Sequence, residues 1–117
     1  MSNEEDFTGK FLTNFDRLTE FFRKSEEGVL GVEISLKTGS LLADVARKES
    51  PLRSLKNLAE SHYKDSRIND GFNIMLKEVA DLRKRIEESR KIYFDSIEFE
   101  RGYKLVRERL KQILEKI

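Results

Sequence analysis

The chain has no cysteine and no tryptophan, one proline and one histidine among its 117 residues. Without cysteine there is no disulfide, no thiolate metal site and no cysteine nucleophile, which suits a reducing compartment. A single histidine rules out any two-histidine metal site and makes any histidine-based triad depend on His62 alone. With only Pro51 to interrupt them, long helices are permitted along most of the chain. No apolar run approaches the roughly 20 residues that a membrane-spanning helix needs. The first residues, Met1-Ser2-Asn3-Glu4-Glu5-Asp6, are acidic and polar, unlike a secretory signal or transit peptide. A soluble, cytoplasmic protein is the expectation.

What the chain has in abundance is charge. Charged residues make up 38% of it and hydrophobic residues another 38%, against a charged share of about a quarter in an ordinary soluble domain. So much charge covers the outer faces of exposed helices and favours an extended bundle over a compact globule. The net charge of +1 makes no bulk claim on nucleic acid or membrane. Its distribution is uneven, however. Residues 1–28 hold seven acids and four bases and carry −3, whereas residues 83–117 hold eleven bases and seven acids and carry +4. Opposite-sign ends favour an antiparallel hairpin or head-to-tail association, as a weak bias at physiological salt.

Ser2 with Glu5 makes a capping box, and Glu4, Glu5 and Asp6 sit well at the positive end of a helix dipole. The stripe that follows, Phe7, Phe11, Phe15, Leu18 and Phe22, has helical spacing and predicts a helix over 4–25. An aromatic face this dense is buried either in the chain's own core or in a partner. Gly28 fits a helix C-terminus. Residues 32–37 alternate apolar and polar as a strand does, yet Val29, Val32 and Leu36 also keep helical spacing, and no second strand offers itself for pairing. A helix over 29–48 is the reading taken. Ser50-Pro51 reads as an N-cap and first helical position, opening a helix over 51–67. Asn69-Asp70-Gly71 then reads as a turn.

The longest pattern comes last. Phe72, Met75, Val79, Leu82, Ile86, Ser89, Ile92, Ser96, Phe99, Tyr103, Val106, Leu110, Ile113 and Ile117 recur in alternating steps of three and four. That predicts a helix over 72–117 with a coiled-coil-like seam, roughly 70 Å long if unbroken, so that it either folds back on itself or makes the protein elongated. One three–three step, Ile86–Ser89–Ile92, marks a stammer. Ser89, Ser96 and Gly102 weaken the seam; if the helix breaks, the break is expected between Ser96 and Gly102, and otherwise these positions are a bend or a loosened crossing.

Signs of chemistry are thin. Tyr63, Lys64 and Asp65 beside His62 show no spacing that assembles a site. Ser61–Lys64 and Lys37–Gly39 match fragments of serine β-lactamase motifs, but in reversed order and in a chain far too short. The glycines form no phosphate-binding loop, and the Glu-x-x-His element of a di-metal bundle is absent. No catalytic residue, cofactor or metal is expected, and no small-molecule substrate. Arg83, Lys84, Arg85, Arg90 and Lys91 repeat one heptad apart and are the candidate anion contacts; interleaved acids make a salt-bridged outer face the plainer account.

These observations predict an all-α protein, an elongated antiparallel bundle or coiled coil of about four helical segments forming a single domain over 1–117. The expected function is a non-enzymatic scaffold or adaptor acting through helix–helix association, with itself as a homo-oligomer or with another protein. Its expected interface is Phe7, Phe11, Phe15 and Phe22 with Phe99, Tyr103, Val106, Leu110, Ile113 and Ile117, since exposed stripes of that size are sticky. The alternative is a module whose basic ridge engages an anionic membrane surface or nucleic acid.

Overall fold

A computed structural model describes residues 3–23, 38–88 and 94–116. They form four helices, α1 (Asn3–Arg23), α2 (Thr38–Tyr63), α3 (Ser66–Glu87) and α4 (Ser96–Glu115). No strand occurs among the described residues. The choice between helix and strand at 32–37 lies outside them.

Cross-helix pairs set the topology. Glu4 and Thr8 of α1 meet His62 and Tyr63 of α2, while Phe11 and Asn14 share a groove with Leu55 and Leu58, so α1 and α2 run antiparallel. Asp65, at the start of α3, bonds Arg109 of α4, and Gly71 meets Gly102 and Val106. Phe15 packs on Tyr103 and Phe22 on Phe99, which closes α1 antiparallel against α4. The result is an up-down-up-down four-helix bundle. It measures 49 × 21 × 20 Å with a radius of gyration of 15.0 Å, against about 13 Å for a compact domain of this size. The acidic first helix and the basic last one are thus neighbours, and their opposite charges meet within one chain.

The core runs the length of the rod. Phe15, Phe22, Phe72, Phe94 and Phe99 are its largest fully buried side chains, with Val45, Leu52, Ile68, Met75, Leu82 and Leu110 between them.

Three boundaries differ from the sequence pattern. Pro51 opens no new helix: α2 runs straight through it. A proline inside a helix costs about 3 kcal/mol through a lost hydrogen bond and a ring clash. Val45 and Leu52, both fully buried on either side, anchor α2 in the core across that defect. Glu49 adds a 2.7 Å bond from Arg83 Nε of α3.

The turn between α2 and α3 falls at Lys64-Asp65, not at Asn69-Asp70-Gly71. Lys64 adopts a left-handed φ of 50°, and Asp65 caps α3 by accepting from the amides of Arg67 and Ile68 at 2.9 and 3.1 Å. Burial pushes the Asp65 carboxyl up, but the Arg109 guanidinium and the two capping amides outweigh it and hold it below its usual range. The early start lets Ile68 join Phe72, Met75, Val79, Leu82 and Ile86 on one buried face.

The helix expected over 72–117 is two helices folded back on each other. α3 ends at Glu87, one residue past Ile86, so its last core side chain is where the stammer begins. Ser96, an expected weak point, instead begins α4, capped by Asp95 through a 2.9 Å bond from the Glu98 amide. Phe94, off the stripe and overlooked on that account, is 1% exposed and packs on Phe22 and Phe99 at 5.5 Å. It pins the returning chain to α1.

Candidate interaction surface

The residues expected at a partner interface are engaged inside the molecule. Phe11, Phe15, Phe22, Phe99, Tyr103, Val106 and Leu110 are buried in the chain's own core, and Phe7 and Ile113 are partly buried against it; Ile117 lies outside the described residues. Folding α4 back on α3 turns the second half of the long stripe inward, where it meets the aromatic face of α1. In this fold these side chains are not a free face.

Polar groups tie that face down. The Tyr103 hydroxyl donates to Asp16 Oδ1 at 2.7 Å, and Arg107 Nε lies 3.7 Å from the same oxygen. Burial pushes the Tyr103 hydroxyl up, and its bond to the Asp16 carboxylate pushes it further, to about 12. Arg23 lies over the Tyr103 ring at 4.2 Å, held there by donating to Thr19 Oγ1 at 3.1 Å and to the Asp16 carbonyl at 3.0 Å. At the other end of α1, Thr8 Oγ1 and the Tyr63 hydroxyl lie 2.7 Å apart. His62 stacks on Phe7 with ring centres 4.0 Å apart, its Nε2 2.7 Å from Glu4 Oε2. The single histidine therefore joins α1 to α2.

The basic ridge is only partly a ridge. Arg83 donates to Glu49 and Glu87, two acids that occupy its guanidinium. Arg85 is half-buried and also has a partner, whereas Lys84 is exposed. Arg90 and Lys91 lie outside the described residues. Behind this end, burial raises the Glu78 carboxyl above its usual range, and the neighbouring acids Asp95, Asp81 and Glu98 add to the rise. Among the described residues, no cluster of three or more His, Asp or Glu side chains could hold a metal ion, and no helix is long and apolar enough to cross a membrane.

Among the described residues, two large apolar side chains remain in water. Leu58 of α2 is 44% exposed and Ile97 of α4 is 81% exposed. Leu58 edges a shallow groove of about 250 Å³ between α1 and α2, floored by Phe7, Phe11 and Leu55 and rimmed by Lys10 and Asn14. Ile97 stands in a larger groove of about 580 Å³ where the end of α1 meets the start of α4, lined also by Arg23, Ser96, Glu100, Arg101 and Lys104. Neither residue was among the expected sites. The signal for Ile97 was nevertheless there: it sits off the apolar stripe, among Glu98, Glu100, Arg101 and Lys104, positions that otherwise carry charge.

No protein-family model matches this chain, and no curated protein or solved structure matches it.

Proposed function

We propose that this protein is a non-enzymatic helical scaffold or adaptor that works by helix–helix association through its α1–α4 flank. The observation that carries the reading is Ile97, a large aliphatic side chain 81% exposed on a helix whose stripe residues Phe99, Tyr103, Val106 and Leu110 are buried. A β-branched aliphatic group held in water beside a groove gains on burial, by roughly 1.5–3 kcal/mol for a full side chain. The surrounding Arg23, Glu100, Arg101 and Lys104 supply the polar rim that interface cores have. A cytoplasmic setting goes with this reading, because the cysteine-free chain suits a reducing compartment. The basic-ridge alternative rests on fewer groups, since Arg83 is engaged by Glu49 and Glu87.

The test is site-directed photo-crosslinking of the full chain in cells. A photoreactive residue at position 97 is expected to yield a defined protein adduct, whether to another protein or to the chain itself. The same probe at Asn73, exposed on α3, is expected to yield none. Equal labelling from both positions, or none from position 97, would overturn the reading.

A further inference from the structure

The geometry points to a second copy of this chain as the occupant of the α1–α4 groove, with the two α4 helices antiparallel about a two-fold axis between Glu100 and Arg101. This rests on the helix–helix reading above and names its partner. The groove-lining positions of α4 are 97, 100, 101 and 104. Steps of three and four place them on one helix face. About that axis, residue 100 of each copy faces residue 101 of the other, and residue 97 faces residue 104. Glu100 then meets Arg101 twice, and each Ile97 lies along the four-carbon stem of the other copy's Lys104, whose ammonium stays in water.

Charge selects this arrangement over its neighbours. Parallel packing of the same faces sets Glu100, Arg101 and Lys104 each against its own copy, three like-charge pairings. An antiparallel axis one turn further on, at Lys104, does no better. It sets Lys104 on Lys104, Arg101 against Arg107 and Glu100 against Glu108. Like charges face to face are costly at an interface. Of these three arrangements, the axis between 100 and 101 alone matches opposite signs and seats the exposed isoleucine. The self-complementary patch is what a closed two-fold dimer requires. Arg101 pairs with Glu98 on its own exposed helix surface, and such surface pairs are weak enough to exchange. An axis between residues 100 and 101 sets residues 96–105 of the two α4 helices against each other, about 15 Å of helix. The contact is therefore smaller than the ~800 Å² that each partner buries in a standard interface, and the dimer is a weak one.

Sedimentation velocity on the full chain across a concentration series tests this, with circular dichroism to verify that each variant is folded. The wild-type chain is expected to show a monomer–dimer equilibrium. Ile97→Arg, which sets a like charge against the other copy's Lys104, is expected to leave only monomer. Glu100→Arg and Arg101→Glu each turn two attractive pairs into two repulsive ones and are expected to weaken the dimer about tenfold or more. The double variant E100R/R101E restores opposite signs in this register alone and is expected to recover most of the lost affinity. A dimer that ignores these substitutions overturns the register and leaves association through another face. A chain that is monomeric at every concentration overturns the second copy as occupant. In that case an adduct to a different protein from position 97 keeps the scaffold reading. Ile97-dependent binding to vesicles of phosphatidylserine in phosphatidylcholine, without any adduct, ends both.

Discussion

The two halves of the bundle are closed by opposite means. α3 and α4 meet where side chains are missing: a methyl group built on Gly71 would stand 2.5 Å from Val106 Cγ2 and 2.7 Å from the Gly102 carbonyl oxygen. One built on Gly102 would stand 2.7 Å from the Gly71 carbonyl oxygen and 2.9 Å from Ile74 Cγ2. α1 meets its neighbours through rings, with Phe11 edge-on to Phe72, Phe15 stacked on Tyr103, and Phe22 against Phe94 and Phe99. The first contact depends on atoms that are absent and the second on atoms that are present. They should therefore fail in opposite ways, one when atoms are added and the other when atoms are removed.

Removal on the aromatic side has the largest expected effect. Phe15 is fully buried between Tyr103, at 5.2 Å and nearly parallel, and Phe72, at 5.4 Å and edge-on. Phe15→Ala should cost about 3–5 kcal/mol through lost transfer energy and the cavity left behind. That is a large share of the 5–15 kcal/mol that holds a typical domain together. Urea unfolding measures it, and a loss below about 1 kcal/mol would show that α1 is not integral to the core.

Addition on the glycine side comes next. Gly102→Ala gains about 1 kcal/mol of helix propensity but drives a methyl into the Gly71 carbonyl. Overpacking usually costs about 1–3 kcal/mol, and backbone yields less readily than a side-chain tip. A net loss of about 2 kcal/mol is expected by the same measurement. A neutral or stabilising Gly102→Ala would mean that the two helices stand further apart than the glycines imply.

The sequence pattern carried the ingredients of both halves but not their assignment. The apolar stripe from Phe72 to Leu110 was legible, because three–four spacing survives whatever the stripe packs against. A fold-back was one of the two outcomes its length allowed, but the place of the reversal was not legible, since the periodicity of α4 continues that of α3. Its one trace was the stammer after Ile86, where α3 stops. Gly71 reads as a turn and Gly102 as a weak point when each is weighed alone. Only their approach across 31 positions makes them a contact, and spacing along a chain says nothing of that. Phe7 to Phe22 declared a face that must be buried without saying against what. The interaction surface was the least legible part, because Ile97 is conspicuous only once its stripe neighbours are known to point inward.

Tyr103 belongs to the aromatic half but carries a polar tie, and alkaline titration separates the two roles. Its hydroxyl ionises at about 12 in the folded chain against an ordinary 10.0, through burial and its bond to Asp16. A pKa raised on folding gives stability that is complete below pH 10 and is lost progressively as pH rises toward 12. Tyrosinate absorbance of the native chain should show a component near pH 12 that is missing in Tyr103→Phe. That variant keeps the ring against Phe15, and Asp16 keeps access to water, so its cost at neutral pH should be about 1 kcal/mol. If Tyr103 instead titrates near 10, the hydroxyl is in water and its tie to Asp16 does not hold in solution.

The smallest effect sharpens the comparison by reversing its sign. Gly9, on α1, has nothing within 4 Å of where a methyl would sit. Nothing there exploits the missing side chain, so the residue only loosens the helix. Gly9→Ala should therefore stabilise the chain by about 0.5–1 kcal/mol, from lower backbone entropy in the unfolded state and better helix propensity. Gly9→Ala and Gly102→Ala are the same chemical change in two helices of one bundle, with outcomes predicted on either side of zero. Thermal unfolding of the two variants side by side tests whether the α3–α4 contact, and not glycine as such, sets the difference. Equal shifts in either direction would dissolve the distinction between a glycine that fills a gap and one that merely leaves it.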